Sequence, residues 1–336
     1  MSDLLPLSEE IPRHRADASA EAPGLRLSYG GETGHVLGRI EYGQSTGVLS
    51  AAIQVPLQAL AGSPSSEYWL VPDAPRRETV GALTLASAPG LLFGAAALGP
   101  EACTADHLEE GTAEVYSHLL RVCAERGQQL VRIWNSMPSI HSGPQDLNRY
   151  MRFCKGRADA FEAHYGDGFE TKLPACSAVG SHGSAPVMHF LAAEEDSTYL
   201  ENPRQQSAYH YPRRYGPRSP SFARASLAPA VAGGWLMLSG TASIVGNASL
   251  HGGDVAAQTT ETLRNMRVLV HGDEHQSLRG HMAATKVYLR HPADLSVVRS
   301  LLISELGPSA PVLYLHADIC RPELLVEIEG ISCPPA

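Results

Sequence analysis

Residues 310–330, APVLYLHADICRPELLVEIEG, are the stretch that decides the fold. Their β-branched and aliphatic residues predict one strand over 312–319 and a second over 324–328, separated by a turn. Successive side chains of a strand point to opposite faces. Glu327 and Glu329 therefore share one face of the second strand, and its apolar residues occupy the other face.

An acid in this strand has two possible fates, and the stretch alone leaves both open. A solvated strand face is the more common one, because acids are seldom buried. The alternative is a partly desolvated carboxyl, since Glu327 follows Leu, Leu and Val and precedes Ile. Burial would raise the pKa of such a carboxyl and suit it to proton transfer.

The composition is that of an ordinary globular protein, with 43% hydrophobic and 18% charged residues. A chain of 336 residues predicts roughly two domains of about 150 residues each. The 26 Lys and Arg against 35 Asp and Glu give a net charge of −9. A nucleic-acid partner needs a basic surface, so this charge argues against one.

Targeting signals are absent from the sequence. It contains no run of about 18 apolar residues, which predicts no membrane span, and its N-terminus lacks the apolar region of a signal peptide. The six cysteines are scattered without a C-x-x-C pair. We therefore expect free thiols and a cytoplasmic location.

Strand and helix patterns alternate along the chain and predict an α+β fold, with mixed sheets and helices packed on one side. One of the clearest helices lies at 254–272, where Asp begins and Gly ends an apolar stripe of helical spacing. Residues 1–23 lack periodicity and predict a flexible arm. We expect an N-terminal domain at 24–170 and a C-terminal domain at 171–336 that carries most of the functional site.

The most unusual segment is 199–224, which has little helix or strand pattern, an uncommon property inside a compact domain. Aromatic residues and arginines alternate in it: Tyr199, Tyr209, Tyr211, Tyr215 and Phe222 with Arg204, Arg213, Arg214, Arg218 and Arg224. A guanidinium matches a carboxylate geometrically, and Tyr adds a hydroxyl donor. In an acidic protein this concentration favours a pocket for a small polyanion over an ordered surface loop.

Other motifs are weaker. His271, His275 and His281 have a passable spacing for a metal, but a loop at a helix end explains them better. The sequence has no G-x-G-x-x-G, no P-loop and no H-E-x-x-H, so nucleotide and zinc-hydrolase functions lack their usual support. A buried, inert thiol is the default for Cys320, and a place in the same pocket as Glu327 is the alternative.

Several segments taken together resemble the chorismatase family over about residues 65–330. They are RIWNSMPSIH (132–141), YMRFCKGRADAF (150–161), ENPRQQSAYHYPRRYGPRSPSFARA (201–225), SGTASIVG (239–246), GDVAAQTTETLRNMRVLV (253–270), TKVYLRH (285–291) and ADICRPELLVEIEG (317–330). The resemblance implies an α+β fold of two RidA/YjgF-like (chorismate-mutase-like) halves. Where deaminating RidA proteins keep a carboxylate-binding Arg, this chain has Pro311-Val312-Leu313, which counts against imine deamination.

Chorismatases act on chorismate and release pyruvate. One subgroup hydrolyses the enolpyruvyl ether and leaves a dihydroxycyclohexadiene carboxylate, and others aromatise the ring to 3-hydroxybenzoate, with 4-hydroxybenzoate in some members. The family needs no metal or organic cofactor. The resemblance therefore implies a pyruvate-releasing enzyme of secondary metabolism, with chorismate as its small-molecule partner.

The resemblance also implies roles for single residues. The family's catalytic acid matches Glu327, in agreement with the desolvated fate of that carboxyl. The two substrate carboxylates would be held by Arg and Tyr side chains, for which the candidates are Arg157, Tyr209, Tyr215, Arg218 and Arg224. In the family a Cys at position 320 together with a Gly on a neighbouring strand goes with hydroxybenzoate formation. Gly233 or Gly234 is the expected match for that Gly.

Three functions stay open at this point. The first is the 3-hydroxybenzoate-forming enzyme, the second is the hydrolase of the same family, and the third is a RidA-like module that binds small anions without turnover. Glu327 distinguishes the binding module from the two enzymes, because only an enzyme depends on the proton of this carboxyl. We expect a monomer or a small homo-oligomer.

Overall fold

The computed structural model describes residues 24–31, 34–48, 52–99, 104, 107–229 and 234–333. The arm predicted at 1–23 lies outside the described residues. Over the described part, strands and helices combine in an α+β fold of three larger sheets, which confirms the predicted fold class.

The helices in the described part of the chain form two pairs. They are α1 (Leu108–Glu125), α2 (Arg149–Tyr165), α3 (Val255–His271) and α4 (Leu295–Leu306). Asp254 caps α3 as predicted, because its carboxylate accepts the backbone N–H of Ala257 at 3.0 Å, and Gly272 ends the helix at φ +73°. No helix in this part of the chain is long and apolar enough to cross a membrane.

Sheet I has five strands and comes from the first third of the chain. Its strands are β1 (Arg26–Tyr29), β2 (His35–Tyr42), β3 (Gly47–Val48), β4 (Ile53–Val55) and β6 (Ser66–Val71). They lie in the order β1-β6-β2-β4-β3. The short strand β5 (Gln58–Ala59) leaves this sheet and joins sheet III at its edge.

Sheet II has six strands. They are β7 (Arg76–Val80), β8 (Leu83–Ala88), β9 (Leu91–Ala97), β10 (Gln129–Pro138), β11 (Ala175–Ser181) and β12 (Val187–Ala193). Their order across the sheet is β7-β8-β9-β12-β10-β11. Side chains of β9 alternate between a core shared with α1 and α2 and a core shared with the other sheets, as expected for a strand buried on both faces.

Sheet III contains seven strands, six of them from the C-terminal half. These are β13 (Thr198–Leu200), β14 (Ala225–Ala228), β15 (Trp235–Ala242), β18 (Met282–Leu289), β19 (Val312–His316) and β20 (Val326–Ser332). Their order is β13-β14-β15-β20-β18-β19, followed by β5. A separate hairpin, β16 (Ile244–Val245) with β17 (Ala248–Ser249), lies before α3.

Sheets II and III have the same topology. Each is built from three strands, a helix, a strand, a second helix and two strands, and in each the sixth strand lies between the third and the fourth. Strands 175–193 pair within sheet II, although the sequence analysis divided the chain after residue 170. We therefore propose that the boundary between the two units lies after Ala193.

The three sheets meet in a central core that contains all three tryptophans of the chain. Trp69 comes from sheet I, Trp134 from sheet II and Trp235 from sheet III. The ring centroids of Trp69 lie 5.4 Å from Trp134 and 6.2 Å from Trp235. Aromatic contacts of this kind stabilise a core beyond the area that they bury, so the three sheets form one packed body.

The two strands predicted in 310–330 are present but shorter or shifted, at Val312–His316 and Val326–Ser332. They do not pair with each other, because β18 lies between them, parallel to β19 and antiparallel to β20. Val326 and Ile328 pack toward α3 and α4, so the face that carries the two acids is turned into the space between the sheets.

A helical glycine tests the packing of α1 against α2. A Cβ atom on Gly156 would lie 2.1 Å from the carbonyl oxygen of Glu109 in α1. We expect Gly156→Ala to lower the free energy of unfolding by about 1–3 kcal/mol through overpacking, although Ala is the better helix former by about 1 kcal/mol. Urea unfolding measures the effect.

The matched control is Gly252→Ala, at an exposed glycine with no atom within 4 Å of its would-be Cβ. We expect that control to change the free energy of unfolding by less than about 0.5 kcal/mol. A stabilised Gly156→Ala variant would contradict the close approach of the helices.

Candidate active site

Glu327 lies in the middle of β20, opposite Ala242 of β15 and Tyr288 of β18. Only 3% of its surface is exposed. Burial raises the pKa of its carboxyl to about 8, with a further contribution from the negative charge of Glu329, against the opposing charges of Arg132 and Arg224. The sequence left open whether Glu327 is solvated or desolvated. The structure shows that it is desolvated.

Glu329, two residues along the same face, is in the opposite state. Burial disfavours its charge, but the ammonium group of Lys286 and the guanidinium of Arg132 outweigh burial and lower its pKa to about 2. Lys286 Nζ lies 2.9 Å and Arg132 Nη2 2.8 Å from its carboxylate. One strand face therefore carries a neutral acid beside an anion at neutral pH, an arrangement that separates acid and base roles.

Gly240 makes the space in which the Glu327 carboxyl sits. It lies at an irregularity of β15, between the pairs Leu238 with Gly330 and Thr241 with Ile328. A Cβ atom at this position would be 2.0 Å from Oε1 of Glu327. Any larger residue would have to displace the acid.

The prediction of the small residue beside the acid therefore needs correction. Gly233 lies outside the described residues, and Gly234 precedes Leu236, which pairs with Ser332 and not with Glu327. The glycine next to the Glu327 carboxyl is Gly240, which the sequence analysis did not name as a candidate. Its signal was available, since a glycine inside a strand often marks the close approach of another group.

Cys320 is half-buried in the segment that precedes β20. Burial raises the pKa of its thiol to about 12, and the nearby Glu327 contributes to the rise. The thiol is therefore neutral and lies close enough to the Glu327 carboxyl for the two groups to interact. Tyr150 and Cys154 of α2 also lie near Cys320, because Cys320 acts on the pKa of Tyr150 and Cys154 acts on that of Cys320.

Arg157 of α2 is 1% exposed and lies over the ring of Phe153, 4.8 Å from the ring centroid. Its Nη1 donates to Sγ of Cys176 at 3.2 Å. Its Nε and Nη2 have no hydrogen-bond partner among the described residues. A carboxylate would satisfy these two guanidinium nitrogens and remove the desolvation cost that each unmet donor carries.

Arg224 ends the irregular segment 199–224 and is 3% exposed. Its Nη2 donates to the backbone oxygen of Gln206 at 2.9 Å and to the hydroxyl of Tyr211 at 2.8 Å. Its Nε is unsatisfied within the described part of the chain, and its charge acts on Glu327. The segment therefore holds the guanidinium of Arg224 in place, close enough to Glu327 for their charges to interact.

Arg321 is a third cation, near Cys320, and the sequence analysis did not name it as a candidate. Its Nη1 donates to the backbone oxygen of Asn247 at 2.9 Å, and its guanidinium lies 3.9 Å from the ring centroid of Tyr215 and 5.1 Å from that of Tyr211. Its Nη2 lacks a partner in the described structure. The residue directly follows Cys320, and that adjacency was the available signal.

The remaining predicted substrate-binding residues are Tyr209, Tyr215 and Arg218, and they lie in different places. The Tyr215 hydroxyl donates to the backbone oxygen of Asn247 at 2.6 Å, and its ring packs against the guanidinium of Arg321. Tyr209 is half-buried against the core of α1 and α2, within reach of the charge of Arg224.

Arg218 is not among the groups whose charge acts on Glu327. It pairs with Glu162 at 2.6 Å and Asp159 at 3.8 Å on α2, with a third of its side chain exposed. Its charge is therefore already matched at the surface.

The three histidines considered for a metal do not converge. His271 and His281 contact each other edge to face at 4.6 Å, but His275 is turned to Glu274 at 3.7 Å. No group of three or more His, Cys, Asp or Glu side chains in the described part of the chain could hold a metal ion. The five described cysteines are free thiols, and Cys103 lies outside the described residues.

Comparisons with family models, protein sequences and solved structures all find chorismatases or a 3-hydroxybenzoate synthase. Residues 67–192 match the family model for the N-terminal part of FkbO/Hyg5-like chorismatases. A 3-hydroxybenzoate synthase of Streptomyces hygroscopicus is 33% identical over 83% of this chain and 84% of its own length. A chorismatase of Streptomyces rapamycinicus is 39% identical over 73% of this chain and 75% of its own. A chorismatase crystal structure superposes with a TM-score of 0.82 at 32% identity, covering 93% of this chain and 98% of the other.

The ionisation of Glu327 predicts how stability depends on pH. Because the pKa is raised in the folded protein, this carboxyl favours folding fully below its unfolded pKa of about 4.5, and the contribution is lost as pH rises toward about 8. We expect Glu327→Gln to gain stability relative to the unmodified protein over that interval, by up to about 1.4 kcal/mol per pH unit. Urea unfolding at pH values from about 5 to 9 measures it.

Glu305→Gln is the matched control. Burial opposes the charge of Glu305, but the hydrogen bonds and charge of Arg267 outweigh it and lower the pKa of that carboxyl. Its contribution is present above the unfolded pKa and is lost only in acid, so its difference from the unmodified protein should be constant over this interval. A constant difference for Glu327→Gln as well would contradict the raised pKa.

Proposed function

The chain belongs to the chorismatase family, and from that premise we propose that it converts chorismate to 3-hydroxybenzoate and pyruvate. The observation that carries the proposal is the buried carboxyl of Glu327, with a pKa of about 8, between Gly240 and Cys320. An acid that is still protonated at neutral pH is what an enol ether needs, because cleavage of the ether begins with a proton on its methylene carbon.

Cations near Glu327 and its neighbours support a dianionic substrate: Arg224 acts on Glu327, Arg157 contacts Cys176, and Arg321 acts on Cys320. Chorismate carries a ring carboxylate and an enolpyruvyl carboxylate. Arg157, Arg224 and Arg321 together have four unsatisfied guanidinium nitrogens: Nε and Nη2 of Arg157, Nε of Arg224 and Nη2 of Arg321. We propose that these arginines hold the two carboxylates, with Tyr209, Tyr211 and Tyr215 as their aromatic and hydroxyl surroundings. Fixing both ends of the substrate would place its ether against the acid.

The reaction balances without water. Glu327 gives its proton to the methylene carbon, and the ring hydroxyl attacks the ring carbon that carries the ether. The bond from that carbon to the ether oxygen breaks, and its electron pair completes the carbonyl of pyruvate. The attacking oxygen is then bonded to two ring carbons as a protonated epoxide. Its bond to the carbon that first carried the hydroxyl breaks, and loss of the proton from the carbon that carried the ether aromatises the ring. The atoms of chorismate equal those of hydroxybenzoate plus pyruvate, and the proton lent by Glu327 is returned.

The glycine and the cysteine define the product in this proposal. The Glu327 carboxyl occupies the space that a side chain at Gly240 would take, and in this proposal that placement of the acid leaves room for the ring to turn its own hydroxyl toward the activated ether, with the neutral thiol of Cys320 near the acid. Some 4-hydroxybenzoate as a second product, a role in secondary metabolism and a cytoplasmic location are also part of the proposal. The last rests on the five free thiols of the described chain.

Incubation of the purified protein with chorismate tests the proposal directly. We expect pyruvate and 3-hydroxybenzoate in equal amounts, measured by a pyruvate assay together with liquid chromatography and mass spectrometry. Pyruvate with a dihydroxycyclohexadiene carboxylate would overturn the product but keep the family's reaction. Binding of chorismate without pyruvate would favour the non-catalytic module.

Glu327→Gln separates catalysis from binding in the same assay. The amide keeps the shape of the side chain but has no proton to give, so we expect kcat to fall about 10²–10⁴-fold while chorismate affinity changes little. Arg218→Gln is the control, because that arginine is paired with Glu162 and Asp159 at the surface. A Glu327→Gln variant with full activity would remove Glu327 from the mechanism.

Gly240→Ala tests the space beside the acid. The new methyl group would lie 2.0 Å from the Glu327 oxygen unless the acid or the strand moves. We expect a lower rate and a larger share of the hydrolysed, non-aromatic product, because the ring loses the room to turn and water attacks instead. Product ratios by liquid chromatography measure it. An unchanged ratio at an unchanged rate would contradict the role of Gly240.

A further inference from the structure

Four buried charged side chains form a network next to the proposed active site. Glu67, Arg132, Lys286 and Glu329 are each less than 5% exposed. Lys286 Nζ lies 3.1 Å from the carboxylate of Glu67 and 2.9 Å from that of Glu329, and Arg132 Nη2 lies 2.8 Å from Glu329. Two cations balance two anions, so the network is neutral as a whole.

The network joins the three sheets. Glu67 comes from β6 of sheet I, Arg132 from β10 of sheet II, and Lys286 and Glu329 from β18 and β20 of sheet III. Uncharged donors complete it. Trp134 Nε1 donates to Glu329 at 2.7 Å, Ser177 Oγ donates to the same carboxylate, and Glu67 accepts from Trp69 and Tyr42 at 2.7 and 2.6 Å.

Glu329 receives more donors than Glu327, and this asymmetry decides which carboxyl carries a proton. Two buried carboxyls on one strand face lie about 7 Å apart along the chain, close enough in a low dielectric that one tends to stay neutral. Arg132, Lys286, Trp134 and Ser177 all point donors at Glu329. The proton is therefore left on Glu327.

Several groups face Glu327, and among them only Glu329 provides a stable neighbouring anion. Those whose charge interacts with it are Glu329 on its own strand, Arg132 on β10, Cys176 on β11, Tyr288 on β18, Arg224 before β14 and Cys320 before β20. Burial raises the pKa of both thiols and of the Tyr288 hydroxyl, so these three are neutral. The two arginines would favour an ionised Glu327. Glu329 alone opposes them.

This inference rests on the proposed function. We propose that Glu329 is a positioning residue of the reaction, an anion held by Arg132, Lys286, Trp134 and Ser177 that keeps the proton on Glu327 next to Gly240 and Cys320. Glu329 itself does not touch the reacting atoms. It acts through the charge that it places beside the proton donor, and the network is the device that keeps this charge in place.

Glu329→Gln is the first test, read through the pH profile of kcat/KM with chorismate. Removing the anion removes the repulsion that keeps Glu327 protonated, so the activity is lost at lower pH. We expect the alkaline limb of the profile to move down by about one pH unit or more. An alkaline limb at the same pH as in the unmodified protein would overturn the proposal.

Glu67→Gln is the matched control. It makes the same chemical change in the same network and also takes a carboxylate from Lys286, but Glu67 is not among the groups that act on Glu327. We expect the alkaline limb of the Glu67→Gln profile to move less than half as far as that of Glu329→Gln. Equal movement in both variants would assign the effect to the network as a whole and overturn the specific role of Glu329.

A second variant covers the case in which Glu329→Gln does not fold because Lys286 is left with too few anions. Glu329→Gln combined with Lys286→Met removes one charge of each sign, a change that buried ion pairs often tolerate. The alkaline limb should move in the same direction as for the single variant. A folded double variant with an unmoved limb would also overturn the proposal.

A substrate-free measurement separates this inference from the proposed function. Carboxyl-carbon NMR, with the Glu327 signal assigned by Glu327→Gln, follows the ionisation of that side chain directly. If the unmodified protein does not turn over chorismate, the proposed function fails, yet the Glu327 titration must still move to lower pH in the Glu329 variants. If it does not move, the inference fails even where chorismate is turned over.

Discussion

The ion pair between Glu329 and the cations Arg132 and Lys286 is the interaction on which the rest of the structure depends. It lies where three sheets meet, and each sheet contributes at least one member of the network. Leaving one of these charges buried without its partner would cost several kcal/mol, on the order of 3–5. The sheets are therefore constrained to one relative arrangement, in which the central tryptophans also fit.

That arrangement gives two acids of one strand opposite states. Glu329 is surrounded by donors and is an anion, and Glu327 is surrounded by buried neutral groups and two more distant cations and keeps its proton. The same burial acts on both carboxyls, so the difference comes from the partners alone. Proton transfer to an enol ether, the reaction that we propose, would need the second state, and by our inference the fixed charge of Glu329 maintains it.

The two related units contribute different parts of the site. The first supplies Arg157 from a helix that packs on sheet II, and the second supplies Glu327 from the middle of sheet III. The irregular segment 199–224 lies within the second unit, where it runs from β13 to β14, and brings Arg224 close enough to Glu327 for their charges to interact. Regular strands hold the proton donor rigidly, while a helix and an irregular segment present the cations that would hold the substrate.

The sequence by itself determined what depends on neighbours along the chain. The apolar periodicity located the strands and helices, Asp254 and Gly272 marked the ends of α3, and the resemblance placed the acid at Glu327 and Cys320 beside it. The density of Arg and Tyr in 199–224 predicted a pocket for a small polyanion, which stays a prediction; the structure shows that Arg224 of this segment lies near Glu327 and that Arg218 pairs at the surface. These signals are local, so one sequence is enough to see them.

Only the tertiary structure decided the state of each group, because burial and charge depend on residues far apart in the chain. Arg132 and Glu329 are 197 positions apart, and no local pattern shows that they meet. The same holds for Gly240, whose missing side chain matters only because Glu327 fills its space, and for Arg218, which pairs with α2 instead of facing the pocket. A strand pattern fixes which side chains share a face, but what covers that face is settled by the packing of the sheets.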